Sequence, residues 1–260
     1  MGSSTLLRGL GGLLAAGFSY VPLVLILVWL LTRLGKGVEG FGTNWDEPWL
    51  VFNWHPLCML IAYTTLYAHA ALAFRSLPFS RNVNKVIHAL IQTLGLAAST
   101  GGLATVIIFK DKTGNDHMYS LHAWLGVSSY ALFALQWLFG VALFVPPLFG
   151  INFPPERLRQ ALRPVHMWAG IMIYIGCTAA ILTGLMDRQW IYNAFQNPNN
   201  ESYSSETYMV NFVALSVLVS VWLVLAHHFP NPLEQKKDDH ARRDGYEHLN
   251  AQSLDYHHLA

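Results

Sequence analysis

The sequence has 260 residues, 53% of them hydrophobic and 13% aromatic but only 12% charged, with a mean hydropathy of +0.33. A soluble domain of this length carries about twice that charged share, so the apolar surplus must face lipid rather than water. A formal net charge of +1 gives no bulk electrostatic reason to expect nucleic acid, and two cysteines, Cys58 and Cys177, are too few and too far apart for a disulfide framework or a thiolate metal site.

A bilayer crossing needs about 20 apolar residues. Read in chain order, the sequence offers six such windows, at 13–33, 54–74, 86–109, 122–144, 165–185 and 209–229, and none contains an acidic residue. The first is too long for the apolar stretch of a cleaved signal peptide and lacks a small-x-small cleavage site after it. The expected fold is all-α, a six-helix transmembrane bundle. Its expected divisions are a cytosolic N-terminus at 1–12, the membrane domain at 13–229 and a charged, His-rich and Gln-rich cytosolic tail at 230–260, expected to be disordered. The Gly cluster at 9–12 follows no strand, which excludes a dinucleotide or nucleotide phosphate loop.

Orientation follows from the cations between the windows. With the N-terminus in the cytosol, that side carries eleven of the 16 Lys and Arg, among them Arg75, Arg81, Lys85 and Arg159. Both termini are therefore expected to be cytosolic. The acceptor pattern Asn200-Glu201-Ser202 falls between windows five and six, on the opposite side, where Asn200 could carry a glycan.

Four of the twelve histidines open successive windows. His55 and His122 enter from the outside in windows two and four, and His88 and His166 enter from the cytosol in windows three and five. An ionisable group inside a span is by default functional, with a partner to be named. Depth fixes the partners, because the two ends of a span lie about 30 Å apart and only side chains at one level can share a metal. His55 must meet His122, and His88 must meet His166. Four helices with one His each at two levels match a bundle in which spans two to five form a four-helix core around two b-type haems, each iron ligated on both faces. Two imidazoles per level with no Cys, Asp or Glu make an incomplete zinc site, and no Cys-x-x-Cys-His run is present for covalent haem. Ligation on both faces leaves a centre that passes electrons, and the free ring nitrogens are expected to donate to backbone carbonyls. His69 lies 14 residues after His55 on nearly the same face, but Gln136 and Ala180 occupy the equivalent places after His122 and His166, so His69 reads as a packing histidine.

The runs Phe-Asn-Trp-His-Pro at 52–56, Lys-x-x-His-Ala at 85–89, Met-Tyr-Ser-Leu-His-Ala-Trp at 118–124 and Arg-x-x-x-x-Pro-x-His at 159–166 resemble, in their order and spacing, the cytochrome b561 family of ascorbate-dependent transmembrane oxidoreductases. The resemblance covers about residues 15–230. It implies two haem b groups held by His88 with His166 and by His55 with His122, and one-electron transfer from cytosolic ascorbate to ferric iron or monodehydroascorbate on the far side. It further implies a cytosolic ascorbate site at Arg81, Lys85 and Arg159 with Arg75 nearby, which suits an anion. On the outer side the sequence departs from the family pattern: Lys110 stands where many members have a His or another basic residue, and His117 stands five before His122, making these two the candidates for the acceptor site. Homodimers are common in the family. The expected partners are thus ascorbate, the acceptor and the bilayer, with a second copy of the chain as a further candidate, and no nucleic acid. Two Tyr-x-x-hydrophobic runs, Tyr246 to Leu249 and Tyr256 to Leu259, resemble sorting signals and point to an endosomal, lysosomal or secretory-vesicle membrane before the plasma membrane. A haem-free six-span transporter or scaffold is the alternative from outside this class.

Overall fold

The structure is a computed structural model that describes residues 3–32, 40–197 and 203–229. Asn200 and the 230–260 tail with its two tyrosine motifs lie outside the described residues. Among those described there are helices and turns but no strands, and six helical units are long and apolar enough to cross a membrane.

The first span is split. α1 (Ser3–Phe18) ends at Ser19 and Tyr20, and α2 (Val21–Leu31) restarts with Pro22 in its first turn, where a missing N–H costs nothing. A short α3 (Pro48–Phe52) leads into the second span, made of α4 (Trp54–Leu60), one π-helical turn (Ile61–Leu66) and α5 (Tyr67–Ser76). The hydroxyl of Thr64 in this wide turn donates to the Leu60 carbonyl at 2.6 Å, and that of Thr65 donates to the Ser19 carbonyl at 3.2 Å, joining the turn to the break in the first span. Spans three, four and five are α6 (Arg81–Thr113), α7 (Leu121–Phe144) and α8 (Glu156–Ile191); span six is α9 (Ser205–His228).

Serine N-caps start three of these: the side chains of Ser80, Ser120 and Ser204 accept from the backbone N–H groups of Val83, Ala123 and Thr207. α6 stops at Gly114, whose φ of 67° is left-handed and suits a residue without a side chain. Several helices overrun the expected windows, and α8 begins nine residues early, with Pro164 inside the helix. The windows followed hydropathy, whereas the helices continue past the apolar layer into charged turns. Four acids consequently fall within helices, Asp111 in α6, Glu156 and Asp187 in α8, and Glu206 in the first turn of α9.

The second span packs on α6, α6 on α7, and α7 along α8; contacts between α8 and the π turn close the ring of four. α1, α2 and α9 pack together outside it, against α5 and α8. We call the face where α1 begins and α9 ends the near face, and the opposite one the far face. At the far face the buried Glu206 accepts from Trp29 Nε1 at 2.9 Å and pairs with Arg188 at 2.6 Å, tying spans one, five and six. At the near face Arg75 donates to the carbonyls of His227 and His228 at 2.5 and 2.6 Å, capping α9.

Candidate functional site

The four window-opening histidines lie in two facing pairs. At the far level His55 of α4 and His122 of α7 have ring centroids 6.0 Å apart, and at the near level His88 of α6 and His166 of α8 have centroids 6.4 Å apart. A metal bound between two facing imidazoles, with bonds of about 2 Å to each, sets the centroids about 6 Å apart. Both pairs therefore have the separation that an iron ligated from two faces requires.

Backbone carbonyls fix three of the four rings. The Nδ1 of His55 lies 2.9 Å from the Gly102 carbonyl of α6, that of His88 lies 2.9 Å from the Ala70 carbonyl of α5, and that of His122 lies 2.7 Å from the Ala180 carbonyl of α8. An imidazole nitrogen facing a carbonyl must carry the proton, which leaves Nε2 as the free lone pair. The exception is His166, whose buried Nδ1 has no hydrogen-bond partner. Its ring leans on Gly140 of α7, where an added Cβ would stand 3.0 Å from Cε1, and its own carbonyl accepts from Gln136 at 2.5 Å. The expectation of a carbonyl acceptor thus holds at three rings and fails at the fourth, because the chain offers it a glycine surface.

Small residues make room at the far pair too. A Cβ on Gly184 would come within 2.8 Å of His122 Cε1. Phe52 stacks on His55 at 5.8 Å, and on the near side Phe74 lies 5.5 Å from His88 and Phe144 lies 5.4 Å from His166. Facing imidazoles at the right separation, three of the four tautomers held with Nε2 free, and aromatic side chains alongside fit a porphyrin at each level.

His69 is satisfied elsewhere: its Nδ1 faces the Thr65 carbonyl at 2.8 Å and its Nε2 the Tyr20 hydroxyl at 3.3 Å. It secures the π turn against the first span and meets neither pair.

The cations at the near face divide. Arg81, the first residue of α6, is exposed, and Lys85 stands one turn further in. The Arg159 side chain is 13% exposed and engages Glu156 and the Pro154 carbonyl, while Lys85 acts electrostatically on the same Glu156 carboxylate. Lys85 and Arg159 are therefore brought to one mouth, but Arg75 is turned toward the end of α9.

At the far face Lys110 donates to the Asp116 carbonyl at 2.6 Å and sits 4.6 Å over the Tyr119 ring, and His117 pairs with Asp111 at 2.8 Å. Asp187, which sequence reasoning missed because it lies past the fifth window, acts on both Lys110 and Tyr119. Partial burial and then the Asp187 charge raise the Tyr119 phenol above its usual value, so it remains protonated at neutral pH.

Residues 54–192, which hold both histidine pairs, match the family model described as eukaryotic cytochrome b561. The chain belongs to this family. It is 30% identical over 233 residues to a probable ascorbate-specific transmembrane electron transporter of Oryza sativa subsp. japonica, covering 86% of this chain and 94% of that protein. It is 32% identical over 199 residues to a lysosomal membrane ascorbate-dependent ferrireductase of Rattus norvegicus, covering 74% of this chain and 75% of that protein. A plasma membrane ascorbate-dependent reductase of Xenopus tropicalis is 30% identical over 225 residues, with 84% and 75% covered. With six apolar spans, this cytochrome b561 is a multi-pass membrane protein.

Proposed function

We propose that this protein is an ascorbate-dependent oxidoreductase that moves electrons singly across a membrane, from ascorbate at the near face to an acceptor at the far face. The observation that carries the reading is the pair of facing histidine couples at opposite ends of one bundle. His88 with His166 and His55 with His122 would each hold one haem b. When bound, these groups supply reversible one-electron chemistry with no open coordination position.

The remaining steps belong to the protein. The near face is assigned to the cytosol, where Lys and Arg predominate. There Arg81, Lys85 and Arg159 draw the ascorbate anion to the mouth above His88 and His166, with Arg75 holding the neighbouring helix end in place. Glu156 shares Arg159 and Lys85, so an incoming anion competes with a carboxylate and is held loosely enough to leave once oxidised. Far-side turnover is assigned to Lys110 and His117, with Tyr119 and Asp187 beside them.

Ferric iron or a ferric chelate is the preferred acceptor, because Asp111, Asp116 and Asp187 surround Lys110 and His117 with negative charge. Lys110 itself favours the second reading, reduction of the monodehydroascorbate anion. Purified protein in vesicles loaded with ascorbate and offered either acceptor outside separates the two by rate. A colourless preparation, made with ample haem supply, refutes both readings. By likeness to the lysosomal relative and by the tail motifs, an endosomal, lysosomal or secretory-vesicle membrane is the assigned location, with the plasma membrane second; Asn200 is the assigned glycan site.

A further inference from the structure

The two histidine levels mark equivalent depths on each helix of the ring. On α6, His88 stands at the near level and Gly102, whose carbonyl meets His55, stands at the far level, fourteen positions on. On α8, His166 and Ala180 mark the same two levels, again fourteen apart. On the second span the marks are His55 and Ala70, fifteen apart. The extra residue lies in the π turn at Ile61–Leu66, which adds one residue without adding a turn and so keeps both marks facing inward. Fourteen helical residues rise about 21 Å, so a wide apolar interval separates the pairs.

Four aromatic rings lie within that interval. Tyr63 lies within the π turn and Tyr67 directly after it. Tyr174 stands midway between His166 and Ala180, and Phe133 of α7 is 1% exposed. Tyr63 meets Phe133 at 5.8 Å, Phe133 meets Tyr67 at 5.5 Å, and Tyr67 stacks on Tyr174 at 5.0 Å with the planes 1° apart. The Tyr67 hydroxyl donates to the Gly170 carbonyl at 2.7 Å, one turn from His166. Gly95, the midpoint of α6, has no side chain, and a Cβ there would already touch Phe133 at 3.7 Å. Three of the four helices thus contribute rings to one contiguous aromatic cluster, α6 makes room for it at Gly95, and the π turn is what aims two of its members inward.

We propose that Tyr63, Phe133, Tyr67 and Tyr174 form the bridge that couples the near centre electronically to the far one. The inference rests on the two-haem reading. One electron leaves the near centre as one arrives at the far centre; no bond forms or breaks, no proton moves, and the rings themselves are not oxidised. Tunnelling weakens exponentially with the empty distance to be crossed, so close-packed π systems help where an aliphatic core would hinder. Nothing in this role requires the phenol protons.

The test uses purified holoprotein in detergent. Phe133→Leu and Tyr174→Leu remove rings at two places, so that misfolding of one leaves the other, and Tyr174→Phe keeps the ring. For each, haem content, absorption spectrum and both midpoint potentials are measured first. The rate of equilibration between the two haems after a short photoreducing pulse is measured next. The expected result is unchanged content and potentials, several-fold slower equilibration in both Leu variants, and the wild-type rate in Tyr174→Phe. Leu variants that equilibrate at the wild-type rate with both haems in place overturn the bridge and leave the two-haem reading standing. A slow Tyr174→Phe also overturns it, since the hydroxyl would then carry the effect. Wild-type protein that holds fewer than two haems overturns the underlying reading and the bridge together.

Discussion

Gly184→Ala is the sharpest probe of the far pair. The new methyl group would stand 2.8 Å from His122 Cε1, 2.9 Å from Nδ1 and 3.3 Å from Nε2. Relaxing these contacts to ordinary van der Waals distance requires the ring to move by roughly half an ångström or more, because tight interiors yield little. The ring is not free to do so, since Nδ1 is held 2.7 Å from Ala180, one turn earlier on the same helix. Overpacking of this kind costs about 1–3 kcal/mol, which as a binding penalty is roughly a 5- to 150-fold weaker hold on the far haem. Haem is quantified per polypeptide after stepwise challenge with a haem-scavenging apoprotein, alongside the low-temperature spectrum. The expected outcome is faster loss of one haem and retention of the other. Gly126→Ala, where an added Cβ meets nothing within 4 Å, is the control and should lose neither. A Gly184→Ala protein that keeps both haems with the control's kinetics would refute the placement of His122 as a ligand.

Other perturbations address the remaining parts. His88→Ala should remove the near haem and leave a spectrum from His55 and His122; loss of neither haem contradicts the pairing. The double variant Arg81→Ala, Lys85→Ala should slow reduction by ascorbate while leaving reduction by dithionite intact, and equal loss with both reductants would assign these cations to structure alone. Glu206→Ala removes the acceptor of the Trp29 N–H and the carboxylate that pairs with Arg188. Removing one member of a buried pair costs about 3–5 kcal/mol, and with the Arg188 side chain 23% exposed the low end applies. The melting temperature in detergent should fall clearly, and fall less in Glu206→Gln, which can still accept from Trp29; an unchanged melting temperature refutes the tie.

The number of spans and the histidine pairs were legible because hydropathy and depth are one-dimensional properties of a chain. A bilayer sets a length, and His88 can meet only a group at its own level. The family resemblance, carried by four short runs, agrees with that pairing. What escaped was lateral or conformational. The resemblance sets Arg75 beside the ascorbate site, but in the structure it holds the end of α9, more than 150 residues along the chain. Glu206 and Asp187 lie just beyond the apolar windows, where hydropathy carries no sign of a buried acid, although Glu206 is 1% exposed. The π turn left no trace in an unbroken apolar run, and without it Tyr63 and Tyr67 look like any core aromatics. The bare Nδ1 of His166 depends on Gly140 lying opposite, which no spacing rule on α8 could reveal.

The paired spans one and six are fastened to the ring at both rims, through Trp29, Glu206 and Arg188 on one side, and on the other through Arg75 and the last carbonyls of α9, against which α1 packs. A pair clamped only at one rim could swing like a door and let acyl chains wedge between it and α5. Clamped at two, it behaves as a brace, and detergent extraction should release the six helices as a single rigid unit rather than peel the outer two away. The cofactor pockets would then be sheltered from the lipid on that flank by covalently continuous protein, without help from a neighbouring molecule.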